Sequence, residues 1–244
     1  KFIKIKSPTV IGERLNPTGR KLLKESLLKE NFDYIINLGL EQIDAGAEIL
    51  NVNVGLPEID EKKTMKKVIK EIQAVIDTPL QIDSSNIEAL EQGLRYYNGK
   101  TIANSVNGKE ESMKKIFPIV KKYGAGVVGL TLDENGIPST AEGRFKIAEK
   151  ILKTAESYGI DKKDIIFDTL AMTISADKNS ANTTLEALFR IKTELGCHTS
   201  LGVSNISFGL PTRDIINGTF FALALDSGLN AAIMNPYSTE MMKT

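Results

Sequence analysis

The chain has 244 residues, 41% of them hydrophobic and 25% charged, with 31 Lys and Arg balancing 31 Asp and Glu. That balance gives no electrostatic pull toward nucleic acid or an anionic membrane, and a single cysteine, Cys197, excludes an internal disulfide and a cysteine-built zinc site. No apolar run approaches the roughly 20 residues that span a bilayer, and the lone thiol reads as a reducing, cytoplasmic setting.

Short β-rich apolar runs alternate with amphipathic helical stretches, the order expected of parallel βα units. The opening Lys1-Phe2-Ile3-Lys4 carries neither an initiator Met nor a signal-peptide pattern. A first strand is expected at 9–12, with a Lys-rich helix at 20–29 inside the first connection. The helix at 32–45 carries Ile35, Ile36, Leu38, Leu40 and Ile43 and stops at Gly46. A second strand, 49–55, leads to a helix at 60–76 that places Met65, Val68, Ile69, Ile72 and Val75 at helical spacing. The third strand, 79–84, precedes a helix at 86–97 capped by Ser85 or Asn86. Strands at 100–106, 127–133, 165–170 and 199–205 follow, each with its helix, at 110–123, 141–158, 181–195 and 213–227. An eighth strand at 231–235 and the first turn of a helix from Ser238 end the chain.

No Gly-, Pro- or Ser-rich linker divides this pattern, so residues 1–244 read as a single domain. Eight strands with seven crossovers predict an α/β fold, a (β/α)₈ TIM barrel with its last helix truncated, as a piece of a longer protein. The rival, a doubly wound open sheet, is marked by a G-x-G-x-x-G turn after the first strand, and none follows the first strand here; Gly124-Ala125-Gly126 leads into a strand rather than a helix.

Barrels of this kind carry their chemistry at the C-terminal ends of the strands. Here those ends are polar: Gly12-Glu13-Arg14-Leu15-Asn16, Asn51-Val52-Asn53, Asp83-Ser84-Ser85-Asn86, Asn104-Ser105-Val106-Asn107, Asp133-Glu134-Asn135, Asp168-Thr169, Ser204-Asn205 and Asn235. Strand alternation turns Asn51, Asn53, Gln81, Asp83 and Asp168 toward the barrel axis. Burying such groups without partners costs about 1–3 kcal/mol each, so an inward ring of amides and acids points to a ligand rich in N–H donors and ring-nitrogen acceptors. A pterin has that character, since its 2-amino and N3–H groups donate together to one carboxylate.

Asn86, Asn107, Asn135 and Ser85 also read as helix caps or turn residues. Asp83, Asn104, Asp168 and Asn205, inward or at the very strand tip, read as ligand groups. His198, the only histidine, precedes the seventh strand at the opposite face, and Cys197 beside it reads as buried packing.

The strand ends resemble those of the pterin-binding methyltransferases, which include the folate domain of cobalamin-dependent methionine synthase and the methyltetrahydrofolate:corrinoid/iron–sulfur protein methyltransferase. The resemblance runs in order through Ile11-Gly12-Glu13-Arg14-Leu15-Asn16, Asn51-Val52-Asn53-Val54-Gly55, Gln81-Ile82-Asp83-Ser84-Ser85-Asn86 and Ile102-Ala103-Asn104-Ser105. It continues through Gly129-Leu130-Thr131-Leu132-Asp133-Glu134-Asn135-Gly136-Ile137-Pro138, Phe167-Asp168, Gly202-Val203-Ser204-Asn205-Ile206-Ser207-Phe208 and Ala231-Ala232-Ile233-Met234-Asn235.

Carried over by position, the resemblance implies that Asp83, Asn104 and Asp168 hydrogen-bond the pterin and that Asn205, the catalytic residue, lies near the methyl-bearing N5. It places Arg213 near the folate tail, and Glu13 and Asn16 in the first motif, shaping the site or meeting the corrinoid. Asn53, inward by alternation, joins the substrate-binding set. Two positions depart from the pattern: Asn51 stands where the family often has an aspartate, and Phe208 follows methionine synthase where the corrinoid/iron–sulfur enzyme tends to have glutamine.

The activity implied is transfer of the N5-methyl of methyltetrahydrofolate to a protein-bound cob(I)alamin, the folate half-reaction of methionine synthase in one-carbon metabolism. No D-x-H-x-x-G cobalamin motif is present, so cobalamin is expected from another domain, or from a separate corrinoid protein. Three alternatives stand beside this reading. They are a stand-alone methyltransferase to a corrinoid/iron–sulfur protein, a non-catalytic folate-binding docking module, and a dihydropteroate synthase, whose Asn-Val-Thr-Pro-Asp-Ser-Phe opening this chain lacks.

Overall fold

Eight parallel strands close on one another in chain order, each pairing with the next and the last returning to the first. They are β1 (Thr9–Leu15), β2 (Ile49–Asn53), β3 (Leu80–Asp83), β4 (Ile102–Asn107), β5 (Gly126–Leu130), β6 (Ile165–Asp168), β7 (His198–Gly202) and β8 (Ala231–Met234). This computed structural model describes residues 8–244 and is the expected TIM barrel. The opening residues 1–4, read above for their lack of a signal pattern, lie outside the described residues.

The helices follow the expected order: α1 (Lys21–Leu28), α2 (Phe32–Asp44), α3 (Glu61–Val75), α4 (Ile87–Tyr96), α5 (Glu110–Tyr123), α6 (Ala141–Ser157), α7 (Ser180–Arg190), α8 (Arg213–Asp226) and α9 (Thr239–Met242). Local chemistry sets their starts. Asn31, Asp60, Asn86 and Thr140 each accept a backbone N–H of the first turn of α2, α3, α4 and α6. The short α9 buries Met241 against α8 and the outer face of β8.

Several strands end earlier than their apolar runs. β5 stops at Leu130 because the Leu132 amide turns back onto the Leu130 carbonyl, and Asp133 and Gly136 close a tight turn. β7 stops at Gly202 and passes into a 3₁₀ turn, Val203–Ser207, so Asn205 sits on a turn rather than a strand.

Two apolar layers hold the molecule together. Outward side chains such as Val52, Ile82, Ala103, Val127 and Phe167 pack beneath the helices with Ile69, Leu90, Phe117 and Ile151. Inside the barrel, Ile11, Ile49, Ile102, Val128, Ile166 and Ala231 form an apolar plug, each large aliphatic member contributing about 1.5–3 kcal/mol through burial. Two residues farther along β2, β4 and β6, the same inward parity brings Asn51, Asn104 and Asp168 above the plug. An apolar floor beneath a polar mouth is the result.

Candidate active site

A cavity of about 770 Å³ opens at this mouth, lined by Glu13, Asn16, Asn51, Asp83, Asn104, Asp168, Asn205 and Arg213 among others. Seven of the eight site residues expected from the sequence share it, while Asn53 is not among its lining residues. Asn53 Oδ1 accepts the Gly55 amide at 2.9 Å, a side-chain turn that closes β2. Asn51, inward by alternation but outside the expected site set, takes a place on the wall.

Asp83 is held by a chain of amides. Asn51 Nδ2 donates to Asp83 Oδ2 at 2.9 Å, and Gln81 Nε2 donates to Asn51 Oδ1 at 2.8 Å. Burial pushes the Asp83 carboxyl above the usual carboxylate range, and the Asn51 and Asn53 amides pull it partly back.

Asp168 is fixed from its own loop. Its Oδ1 accepts the Leu170 amide at 2.7 Å, and burial pushes its pKa up to about 6 against the backbone hydrogen bonds it receives. Leu170 takes φ +62°, a left-handed conformation that costs a non-glycine residue about 1–2 kcal/mol. The buried guanidinium of Arg144 offsets that cost. Its Nη1 donates to the Thr169 and Leu170 carbonyls at 2.7 and 3.0 Å and to Thr184 Oγ1 at 2.9 Å, and its Nε donates to the Pro138 carbonyl at 3.0 Å. Arg144 lies on α6, among charged residues that read as a solvated helix face.

Asn104 ends the regular part of β4, where the register against β5 shifts, and its carbonyl accepts the Ser84 amide at 3.1 Å. Asn205 lies exposed on the 3₁₀ turn, its amide against Gly202. A Cβ at Gly202 would stand 2.9 Å from Asn205 Nδ2, so glycine is what lets the amide lie there. Arg213 braces the same turn: Nη2 donates to the Ser204 carbonyl and Nε to Ser207 Oγ, both at 2.9 Å, and the guanidinium stacks on Phe208 at 4.7 Å.

Glu13 accepts Ser204 Oγ at 3.3 Å and faces Arg20 at 3.7 Å. Burial raises its pKa, and the charges of Arg20, Arg14 and Arg213 oppose the rise. Asn16 lines the wall and shapes a turn, its Oδ1 accepting the Thr18 amide at 3.0 Å.

Among the helix-cap readings, Asn86 caps α4 through the Glu88 and Ala89 amides, and Asn107 accepts the Lys109 amide. Ser84 rather than Ser85 accepts the Asn86 amide. His198, at the first residue of β7, lines a separate small cavity at the other end of the barrel. Arg20, Ser204, Asp214 and Asn217 also line the mouth. Arg20, Asp214 and Asn217 carry no signal in the sequence, because Arg20 opens a Lys-rich helix and the other two follow β7 without a repeating pattern, while Ser204 shows only as part of a polar strand end.

Among the described residues no group of three or more His, Cys, Asp and Glu side chains is placed to hold a metal ion, and no helix is long and apolar enough to cross a membrane. The mouth therefore offers hydrogen bonds and charge: carboxylates from β3 and β6, amides from β2 and β4, and an exposed carboxamide after β7.

Known proteins resemble this chain at two levels. The fold resembles dihydropteroate synthases. One is that of Xanthomonas albilineans in complex with 7,8-dihydropteroate, at TM-score 0.76 and 17% identity over 99% of this chain and 92% of that one. Another is that of Yersinia pestis in a sulfonamide drug complex, at TM-score 0.78 and 14% identity, with the same coverage of 99% and 92%. At these identities the likeness is one of fold. In sequence the chain is 31% identical to a methionine synthase of Mycobacterium leprae (strain TN), over 96% of this chain and 20% of that protein. A methylcorrinoid:tetrahydrofolate methyltransferase of Eubacterium limosum is 29% identical over 96% of this chain and 87% of its own length. The chain thus spans about a fifth of the mycobacterial methionine synthase it matches, and most of the shorter methyltransferase. The family description "pterin binding enzyme" matches residues 12–235, so that every strand end lining the mouth falls within the match, and the chain belongs to the pterin-binding enzymes.

Proposed function

We propose that this domain binds methyltetrahydrofolate and transfers its N5-methyl group to a cob(I)alamin carried by another domain or protein, as the folate half-reaction of a methionine synthase. The observation that carries the reading is the convergence of Asp83, Asn104, Asp168 and Asn205 on one cavity of about 770 Å³. Relatives named as methionine synthase and methylcorrinoid:tetrahydrofolate methyltransferase support the methyl-transfer chemistry.

In this reading Asp83, Asn104 and Asp168 hold the pterin by its ring edge. The raised pKa values of the two acids follow from burial, and the pterin's 2-amino and N3–H groups would add donors to those each buried carboxylate already meets. The methyl leaves a tertiary amine, a poor leaving group, so the step needs positive charge at N5 as the carbon–nitrogen bond breaks. Asn205, neutral, supplies no net proton, but its carboxamide oxygen accepts a hydrogen bond from protonated N5 directly or through water. The proton comes from solvent and stays on N5 when the methyl leaves; because the bond favours the protonated amine over the neutral one, it lowers the barrier measured from neutral substrate. Cob(I)alamin, when docked, supplies the nucleophile. The chain's one histidine, His198, lies at the opposite end of the barrel, so no histidine of this mouth ligates the cobalt.

The test is incubation of the protein with methyltetrahydrofolate and free cob(I)alamin, following the absorbance of methylcobalamin. Product formation supports the transferase. Folate uptake without turnover indicates a binding module, and pteroate formed from a pterin pyrophosphate and 4-aminobenzoate indicates a synthase; either result overturns the proposal.

A further inference from the structure

The loop between β1 and α1 places on the cavity wall a cation that none of the chemistry above employs. Arg20 lines the mouth with Thr18 and Gly19, and its side chain is only 25% exposed. A guanidinium carries five N–H donors, yet the counter-charge it meets is Glu13 at 3.7 Å, too long for a hydrogen bond. Burial, followed by the nearby charge of Arg14, pulls its pKa below the ordinary arginine value. Glu13 does not neutralise this corner, because it faces Arg14, Arg20 and Arg213 together and its own carboxyl is raised by burial. Asp214, the acid that α8 adds to the wall, accepts Ser238 Oγ at 3.3 Å. The first turn of α1 has neither a side-chain cap nor an acidic residue, so its free N–H groups add partial charge of the same sign.

We infer that Arg20 forms an anion subsite for the carboxylate-bearing tail of a folate-type ligand. The inference rests on the proposed pterin reading and names the part of the mouth that receives the rest of the substrate. With the pterin edge toward β3, β4 and β6, N5 faces Asn205 after β7. The tail is borne on C6, the ring carbon bonded to N5, so it leaves on the Asn205 side, where β8 and β1 complete the barrel. Two arginines line the cavity there. Arg213 has two donors committed to Ser204 and Ser207 at 2.9 Å each, whereas the guanidinium of Arg20 makes no hydrogen bond to the described residues. Arg20 is therefore the cation whose N–H donors are uncommitted and can meet a carboxylate.

Titration calorimetry compares a 5-methyltetrahydropterin lacking the tail, methyltetrahydrofolate and its triglutamate on wild type, Arg20→Met and Arg20→Lys. Arg20→Met should reduce the preference for tailed over tailless ligand about tenfold, the usual effect of losing a charged hydrogen bond. Arg20→Lys should restore part of it, and added salt should shrink the difference. An unchanged preference, or equal weakening of all three ligands, overturns the subsite. So does unchanged folate affinity joined to a raised KM for cobalamin but not for cobinamide, which lacks the nucleotide phosphate. Should the wild type take up none of the three ligands, the pterin reading itself fails, and this inference with it.

Discussion

Asn51 Nδ2 sits 2.9 Å from Asp83 Oδ2 while its Oδ1 accepts Gln81 Nε2 at 2.8 Å, so one carboxamide is donor on one side and acceptor on the other. This double use fixes the orientation of Asn51 and, through it, that of the Asp83 carboxylate at the mouth. Asn51→Leu removes the donor and strands the buried Gln81 amide. The Asp83 carboxyl should rise further, folate affinity should fall about tenfold, and the fold should lose about 1–3 kcal/mol. Calorimetry and urea unfolding measure the two effects separately. Undiminished affinity in a folded variant means that the charge of Asp83 is not what the pterin meets.

Protonation of Asp168 gives two opposite pH dependences. Its pKa rises from 3.8 to about 6 on folding because burial disfavours the charged form. The native state therefore holds the proton more tightly, and stability should decline as pH climbs through that window and level off above it. Asp83 and Glu13, also raised by burial, act in the same direction. Ligand affinity should run the other way, falling as the pH drops below about 6, because a protonated acid accepts pterin N–H groups poorly. Asp168→Asn should flatten the stability slope between about pH 4 and 6, seen in urea midpoints across that range. A slope identical to that of the wild type means that Asp168 is not the titrating group.

Period and alternation carried most of this architecture. The inward parity of Asn51, Gln81, Asp83 and Asp168 was legible because a strand's side chains alternate and their neighbours, Val52, Ile82 and Phe167, are apolar. What escaped depends on contacts between segments far apart in sequence. Arg144 reads as one cation among several on an amphipathic helix, and only the return of the β6–α7 loop brings its guanidinium the Thr169 and Leu170 carbonyls, beside that of Pro138. Arg20 is hidden likewise by the lysines that follow it. Asn53 stands off the cavity wall for a different reason: its parity is inward, but it is the last residue of β2, where a turn claims its oxygen.

Helix α4 approaches β3 closely enough to forbid a side chain at Gly93. A Cβ there would stand 2.4 Å from Ile82 Cγ2 and 3.3 Å from Met65 Cγ, both on fully buried residues. Gly93→Ala should therefore cost about 1–3 kcal/mol by overpacking, even though alanine is the better helix former by about 1 kcal/mol. Because Ile82 immediately precedes Asp83, the displaced strand tip should weaken folate binding as well. Urea unfolding and calorimetry on the same variant check both effects, and a stabilised variant contradicts the packing argument.

Arg213 and Asn205 should act as one unit. The Arg213 guanidinium holds the Ser204 carbonyl and Ser207 Oγ at 2.9 Å each, on either side of Asn205 in the 3₁₀ turn. Asn205→Ala removes the acceptor for protonated N5 and should slow single-turnover methyl transfer about 10²-fold, in the range seen for deleting one transition-state hydrogen bond. The folate Kd should change little. Arg213→Met leaves the carboxamide present but releases its turn, and the rate should fall about tenfold, since small misplacements at a reacting centre are costly. The decisive measurement is the double variant. If Arg213 acts through Asn205, Arg213→Met should add almost nothing to the rate loss of Asn205→Ala, whereas independent contributions would multiply. Multiplicative losses would assign Arg213 a direct contact with substrate instead.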